Sequence, residues 1–181
     1  MRNSLFILGP LSDDDIEWLI TYGEKQAVSR GSVLIRQGQP VEDLYLILTG
    51  LFRVTDDRGG GQELARLGSG EFLGEMSFVD ANPPSATVTA VEDGLVLALP
   101  RTLLRQHLEQ NTAFAARFYY ALAVLLSDRL RATESRMRGS GDYKLGTDSG
   151  LEEGELDMNV LDSIHLAGAR FKHIVDRLMQ T

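Results

Sequence analysis

Hydrophobic and polar positions change period several times along this chain. From Ser12 to about Tyr22, Ile16, Leu19 and Ile20 fall on one face at helical spacing. Ser12 is a fitting N-cap, and Asp13, Asp14 and Asp15 fill the first turn, where a helix dipole favours negative charge. From Ser32 to Leu99 the period shortens into runs that read as strands: SVLIR, LYLIL, LFRVT, QELARL, ATVTA and GLVLAL. Turn residues divide them, among them Gly38-Gln39-Pro40, Thr49-Gly50 and the segment Asp57 to Gly61. Six or more short strands without intervening helices predict a sandwich or barrel, not an α/β sheet.

After Pro100 the helical period returns. Leu103, Leu104, His107 and Leu108 suit a short helix ending near Asn111. A longer one is predicted from about Thr112 to Arg138, with Phe114, Phe118, Ala121, Leu122, Leu125, Leu126 and Leu130 along one broad stripe. Arg129, Arg131, Arg136 and Arg138 suit its C-terminal end as a solvated face, with a basic docking patch as the other reading. Residues 139–156 read as an acidic, glycine-rich linker. Val160, Ile164, Ala167, Phe171, Ile174 and Leu178 then recur at spacings of three and four, a heptad-like seam on a final amphipathic helix over 157–181 with Asp157 as its cap. That seam needs a partner surface, in its own domain, in a second copy or on another protein.

Composition sharpens this picture. Of 18 glycines, twelve lie between Gly9 and Gly94 and none between residues 95 and 138, so the turns belong to the β region. The chain has 181 residues, 43% hydrophobic and 24% charged, the profile of one folded domain with an appendage. There is no cysteine, which removes disulfides and thiolate chemistry and suits a reducing cytoplasm. With 18 Lys+Arg against 26 Asp+Glu the net charge is -8, the wrong sign for coating nucleic acid. The apolar run Leu5 to Leu11 is too short for a membrane span and meets three aspartates, so no membrane association is expected. Trp18, the only tryptophan, is read as ordinary packing rather than a stacking platform.

The stretch from Gly70 to Val88, GEFLGEMSFVDANPPSATV, carries the candidate chemistry. It strongly resembles the phosphate-binding cassette of the cyclic nucleotide-binding domain, the family of protein kinase A regulatory subunits and catabolite-activator-type regulators. Gly31, Leu34, Gly38, Leu44, Tyr45, Ile47 and Gly50 fall where that family places turn glycines and sheet-core residues. The resemblance covers roughly residues 10–138 and implies a mainly β fold. It is an eight-stranded antiparallel β-roll over about 32–99, flanked by an N-terminal helix and two C-terminal helices within 101–138. The expected organisation is a cyclic nucleotide-binding-like domain over 1–138, the linker over 139–156 and the C-terminal helix.

The candidate ligand-binding residues are Gly74, Glu75, Met76, Ser77, Pro84, Ser85, Ala86 and Thr87. Gly74 permits a turn that other residues would strain, and Glu75 to Phe78 can form one helical turn whose N–H groups face an anion. The resemblance implies that Glu75 accepts a hydrogen bond from a ribose hydroxyl. It also implies an arginine nine residues later, paired with the cyclic phosphate. Here that position is Pro84, and the flanking Pro83, Ala86, Thr87 and Val88 align, so the arginine is absent and not shifted. Proline has neither charge nor N–H to offer a phosphate. Loss of one partner of a buried charge pair costs about 3–5 kcal/mol, on the order of a hundred- to several-thousand-fold in affinity. Arg129, Arg131 and Thr133 on the long helix are candidate lid residues.

Other classes fit poorly. A cupin enzyme needs histidines on its strands, but His107, His165 and His173 all lie outside them, the latter two on the solvated side of the last helix. No Walker loop, Ser/His/Asp set or paired-carboxylate site is present, so no enzymatic activity is expected. A helix-turn-helix does not fit the 43 residues after Arg138, and residues 139–181 carry four basic against eight acidic side chains, so direct DNA binding is not expected. The sequence therefore predicts a non-catalytic cytoplasmic regulator. It binds cAMP weakly, or cGMP, another cyclic nucleotide or a different small ligand, and dimerises through helix 112–138, with helix 157–180 as a second candidate interface, and has a protein partner. The alternatives are a ligand-free dimerisation scaffold built on the β-roll and an ordinary cAMP/cGMP receptor.

Overall fold

A computed structural model describes residues 5–137 and 158–180, with side chains for 7–134 and 165–180. It divides into two compact units, residues 17–111 and residues 1–16 together with 112–181. The predicted linker 139–156 and the seam positions Val160 and Ile164 lie outside the described side chains.

The first unit holds eight strands: β1 (Glu24–Val28), β2 (Val33–Ile35), β3 (Asp43–Thr49), β4 (Phe52–Asp56), β5 (Gln62–Leu67), β6 (Phe72–Leu73), β7 (Thr87–Ala90) and β8 (Gly94–Pro100). They form two four-stranded antiparallel sheets, ordered β1-β8-β3-β6 and β2-β7-β4-β5, as the β-roll expectation requires. Alternate residues of both sheets turn inward on one core: Val28, Tyr45, Ile47, Leu73, Val96 and Ala98 from the first, Ile35, Phe52, Val88 and Ala90 from the second. Strand β3 is apolar without alternation because both of its faces are covered, Leu44, Leu46 and Leu48 being buried opposite Tyr45 and Ile47. The turn after β3 needs glycine twice. Gly50 has φ +96°, and a Cβ there would stand 2.8 Å from the Cα of Gly94, where an added Cβ would in turn stand 2.7 Å from the Thr49 carbonyl oxygen.

Two strands leave no mark in the hydrophobic pattern of the sequence. Strand β1, EKQAV, carries its apolar residues only at the end and is recruited by pairing along β8, Lys25 opposite Leu97 and Val28 opposite Gly94. Strand β6 is two residues long and exists because Tyr45 and Leu46 of β3 pair with Leu73 and Phe72. Helix α4, described below, follows β8 directly.

The second unit comprises α1 (Leu5–Leu8), the first turn of α2 (Asp13–Tyr22), α5 (Thr112–Met137) and α6 (Met158–Met179). Helix α2 begins where its cap predicts: the Asp15 N–H donates to Ser12 Oγ (3.3 Å) and the Ser12 N–H to Asp15 Oδ2 (2.7 Å), a reciprocal capping box. Helix α1, inside the apolar run read only as too short for a membrane, packs on both α5 and α6. On α5 the predicted stripe is buried at Phe114, Phe118, Ala121, Leu122 and Leu125, but Leu130 departs from it and is 61% exposed. On α6, Ala167 and Ile174 are fully buried, while His165 and His173 are exposed.

Candidate functional site

The segment Gly70–Val88 is built around α3 (Glu75–Asp80), one residue pair longer than the predicted turn. Its entrance is fixed by β6, whose Phe72 and Leu73 are buried. Gly74 follows with φ +85°, and a Cβ there would meet the Asp43 carbonyl at 3.3 Å and Ile35 Cδ1 at 3.5 Å, so both conformation and space favour glycine. The Phe78 N–H is the first to bond back within the helix, to the Gly74 carbonyl at 3.1 Å, which leaves the amides of Glu75, Met76 and Ser77 outside the helical ladder.

Burial divides the predicted site residues. Glu75 and Ser77 are buried beside Phe78, whereas Met76 and Val79 are about half exposed. The helix ends at Ala81, a non-glycine residue with φ +60°, whose N–H bonds the Ser77 carbonyl. Asn82 then donates its backbone and side-chain N–H groups to the two oxygens of Asp80 (2.9 Å each), and these bonds hold the Asp80 carboxyl below its usual range.

The returning strand segment is stitched by a residue that periodicity did not mark. Gln37 Nε2 donates to the Ser85 carbonyl (2.7 Å) and to Asp56 Oδ1 (2.8 Å), its Oε1 accepts from the Asp57 N–H (2.7 Å), and its own N–H donates to Thr87 Oγ1 (3.0 Å). Thr87, buried, donates in turn to Asp57 Oδ2 at 2.6 Å. Pro84 is buried and its carbonyl accepts from the Gly38 N–H at 2.9 Å. Ser85 is exposed, its Oγ 3.9 Å from Met76 Sδ, and Ala86 is half-buried. Gly74, Glu75, Met76 and Ser77 thus form one side of the loop, and Pro84, Ser85, Ala86 and Thr87 the other.

Two arginines reach this loop at the end of α3 away from Gly74. Both come from α4 (Arg101–Gln110). Arg101 Nη2 donates to the Ser77 carbonyl and Nη1 to the Val41 carbonyl (2.7 Å), while Arg105 Nη2 donates to the Phe78 carbonyl (2.5 Å). The lid candidates Arg129, Arg131 and Thr133 lie on α5 in the other unit, where Thr133 Oγ1 donates to the Arg129 carbonyl (2.9 Å). Among the described residues no group of three or more His, Asp or Glu can hold a metal ion, and no helix is long and apolar enough to cross a membrane.

The family model of the cyclic nucleotide-binding domain matches residues 25–111, the whole β-roll and the cassette within it. The β-roll is a cyclic nucleotide-binding domain. The chain is 35% identical over 129 residues to the cyclic AMP receptor protein of Thermus thermophilus, an alignment covering 68% of this chain and 56% of that one. The chain therefore spans about half the length of that relative. A cyclic nucleotide-binding domain from Methylobacillus flagellatus is similar in structure, with a TM-score of 0.68 and 28% identity, over 86% of this chain and 85% of that one. Lysophospholipase NTE1 of Chaetomium globosum is 28% identical over 122 residues, but these make up 7% of that enzyme. The likeness is thus to the domain and not to a catalytic region.

Proposed function

We propose that this cyclic nucleotide-binding domain is the sensor of a non-catalytic regulatory protein, with a pocket that takes cAMP weakly or takes a different small ligand. The observation that carries this reading is the cassette. It keeps the left-handed Gly74, the buried Glu75 and the short helix after them, yet offers the buried, uncharged Pro84 where a phosphate needs a cation. Arg101 and Arg105, whose guanidiniums touch the loop, are spent on main-chain carbonyls at the other end of α3. Glu75 favours ligands that present hydroxyl or amine donors and opposes an unneutralised phosphate.

The test is thermal unfolding of the chain with cAMP, cGMP and cyclic dinucleotides at millimolar concentration. A ligand at about 100 times its dissociation constant stabilises by about 2.7 kcal/mol, or roughly 5–10 °C for a chain of this size. A shift with one of them supports the sensor reading. No shift with any supports the scaffold reading, in which the β-roll serves assembly alone, and a cAMP dissociation constant below micromolar supports an ordinary receptor.

Output in this reading runs through a homodimer and a protein partner, without direct DNA contact by residues whose net charge is negative. Opposite its buried stripe, α5 exposes Ala113, Ala116, Tyr120, Ala123, Ser127 and Leu130, at spacings of three and four. Small residues with one aromatic and one leucine make a seam for a second copy of α5. Sedimentation of Tyr120→Asp tests it: a dimer that becomes monomeric supports the seam, and an unchanged dimer moves the interface elsewhere.

A further inference from the structure

We propose that Arg101 and Arg105 are positioning residues of the cassette, a two-guanidinium clamp by which α4 fixes the C-terminal end of α3. The consequence for function rests on the reading of the cassette as the ligand-facing element. A six-residue helix has no stability of its own, and its last carbonyls lack helical partners. Here the Ser77 carbonyl, already bonded by the Ala81 N–H, also receives Arg101, and the Phe78 carbonyl receives Arg105.

Three features mark this as a built contact. Arg101 spans two segments, joining the Ser77 carbonyl on the cassette to the Val41 carbonyl in the loop before β3, which needs the planar fork of a guanidinium and not an ammonium. Arg105 also lies over the ring of Phe78, its Cζ 4.9 Å from the centroid, and Phe78 is buried. Finally, the Ser77 carbonyl that receives Arg101 also receives the N–H of Ala81, the residue in the left-handed conformation. Such a conformation persists where its surroundings over-determine it.

The clamp ties the cassette to a reporter. Three residues into the same helix from Leu104, His107 stacks on Trp18, ring centroids 4.2 Å apart and planes within 5°. A displacement of α3 passed through Arg101 and Arg105 therefore reaches the chain's single tryptophan.

The experiment compares wild type, Arg101→Gln, Arg105→Gln, the double variant and Arg101→Lys by amide hydrogen exchange. With charged hydrogen bonds worth about 1.5–3 kcal/mol, the double variant should exchange residues 74–86 at least about tenfold faster. Strands β3 and β8 should stay within about twofold, since local opening does not require global unfolding. Arg101→Lys, which holds one carbonyl, should not restore protection and serves as the milder variant if Gln at both sites unfolds the chain. Unchanged exchange over 74–86, or equal acceleration in the strands, overturns the clamp. In a parallel titration with cAMP, Trp18 emission should change in wild type and not in the double variant, while calorimetry detects cAMP binding in both. If calorimetry detects no cAMP binding in any variant, cAMP is excluded as the ligand, and the exchange result still judges the clamp. A Trp18 response that survives in the double variant refutes transmission through it.

Discussion

Asp15→Asn removes a charge at the point where the start of α2 meets α5. Asp15 is 3% exposed and accepts from Arg117 Nε at 2.7 Å, from Arg117 Nη2 at 2.9 Å and from the Ser12 N–H. Burial alone would raise its pKa, but the bonds from Arg117 and Ser12 outweigh that and hold the carboxyl below its usual value. An asparagine of the same shape keeps one acceptor and turns an NH2 toward the guanidinium. Full loss of a buried pair costs about 3–5 kcal/mol, but the Arg117 side chain is 35% exposed and water takes up part of its charge. The expected loss is about 2–3 kcal/mol, or roughly 4–12 °C in Tm. The sign of the pH dependence follows from the depressed pKa. The stabilisation is complete above the unfolded value near 3.8 and is lost as pH falls through the lower folded value, so the gap between wild type and Asp15→Asn narrows as pH falls below 3.8. Urea unfolding at pH 7 and at a series of acid pH values, combined with Arg117→Gln and the double variant, measures the coupling. Coupling below about 0.5 kcal/mol, or a gap that stays constant on acidification, refutes the reasoning.

Other outcomes follow from the same geometry. Gly74→Ala should cost about 1–2 kcal/mol from its left-handed backbone, with added crowding against the Asp43 carbonyl, and a Tm equal to wild type would show that the turn relaxes freely. Tyr45 has its pKa raised to about 12, by burial first and then by Asp43, whose carboxylate accepts from its hydroxyl at 3.4 Å. Its folded pKa stands above the unfolded value of 10, so stability is full below pH 10 and falls between about pH 10 and 12. Tyr45→Phe should remove that alkaline component, and an unchanged alkaline profile refutes it. Arg170 donates to Asp13 Oδ1 (3.0 Å) and to the carbonyls of Leu8 (3.1 Å) and Gly9 (2.8 Å). Arg170→Ala should therefore release α6 to limited proteolysis before the β-roll is cut, whereas uniform digestion refutes a specific latch.

What the sequence disclosed were features carried by local chemistry. Ser12 with Asp15 specifies a cap within four residues, the run LYLIL specifies a strand, and the glycine spacing before Glu75 specifies the cassette turn. Features decided by distant partners stayed hidden. Strand β1 owes its pairing to β8, β6 to β3, and neither has a hydrophobic pattern of its own. Gln37 looks like one polar turn residue among several until the fold brings Ser85, Asp56 and Asp57 around it. Arg101 and Arg105 sit on a helix where arginine is unremarkable, and their bonds to Ser77 and Phe78 cross more than twenty residues of chain. The helical period assigns Leu130 to the buried stripe of α5, but that period tolerates either face near the helix end, and the structure turns it outward. The proline at position 84 was the exception, a missing charge legible without any coordinates.

The most direct measurement is calorimetric titration of cAMP into wild type and Pro84→Arg. The account predicts that the cassette backbone is intact and lacks only its cation, so the variant should bind on the order of a hundredfold or more tightly than wild type. Equal affinity in the two proteins, or submicromolar binding by wild type, would contradict it.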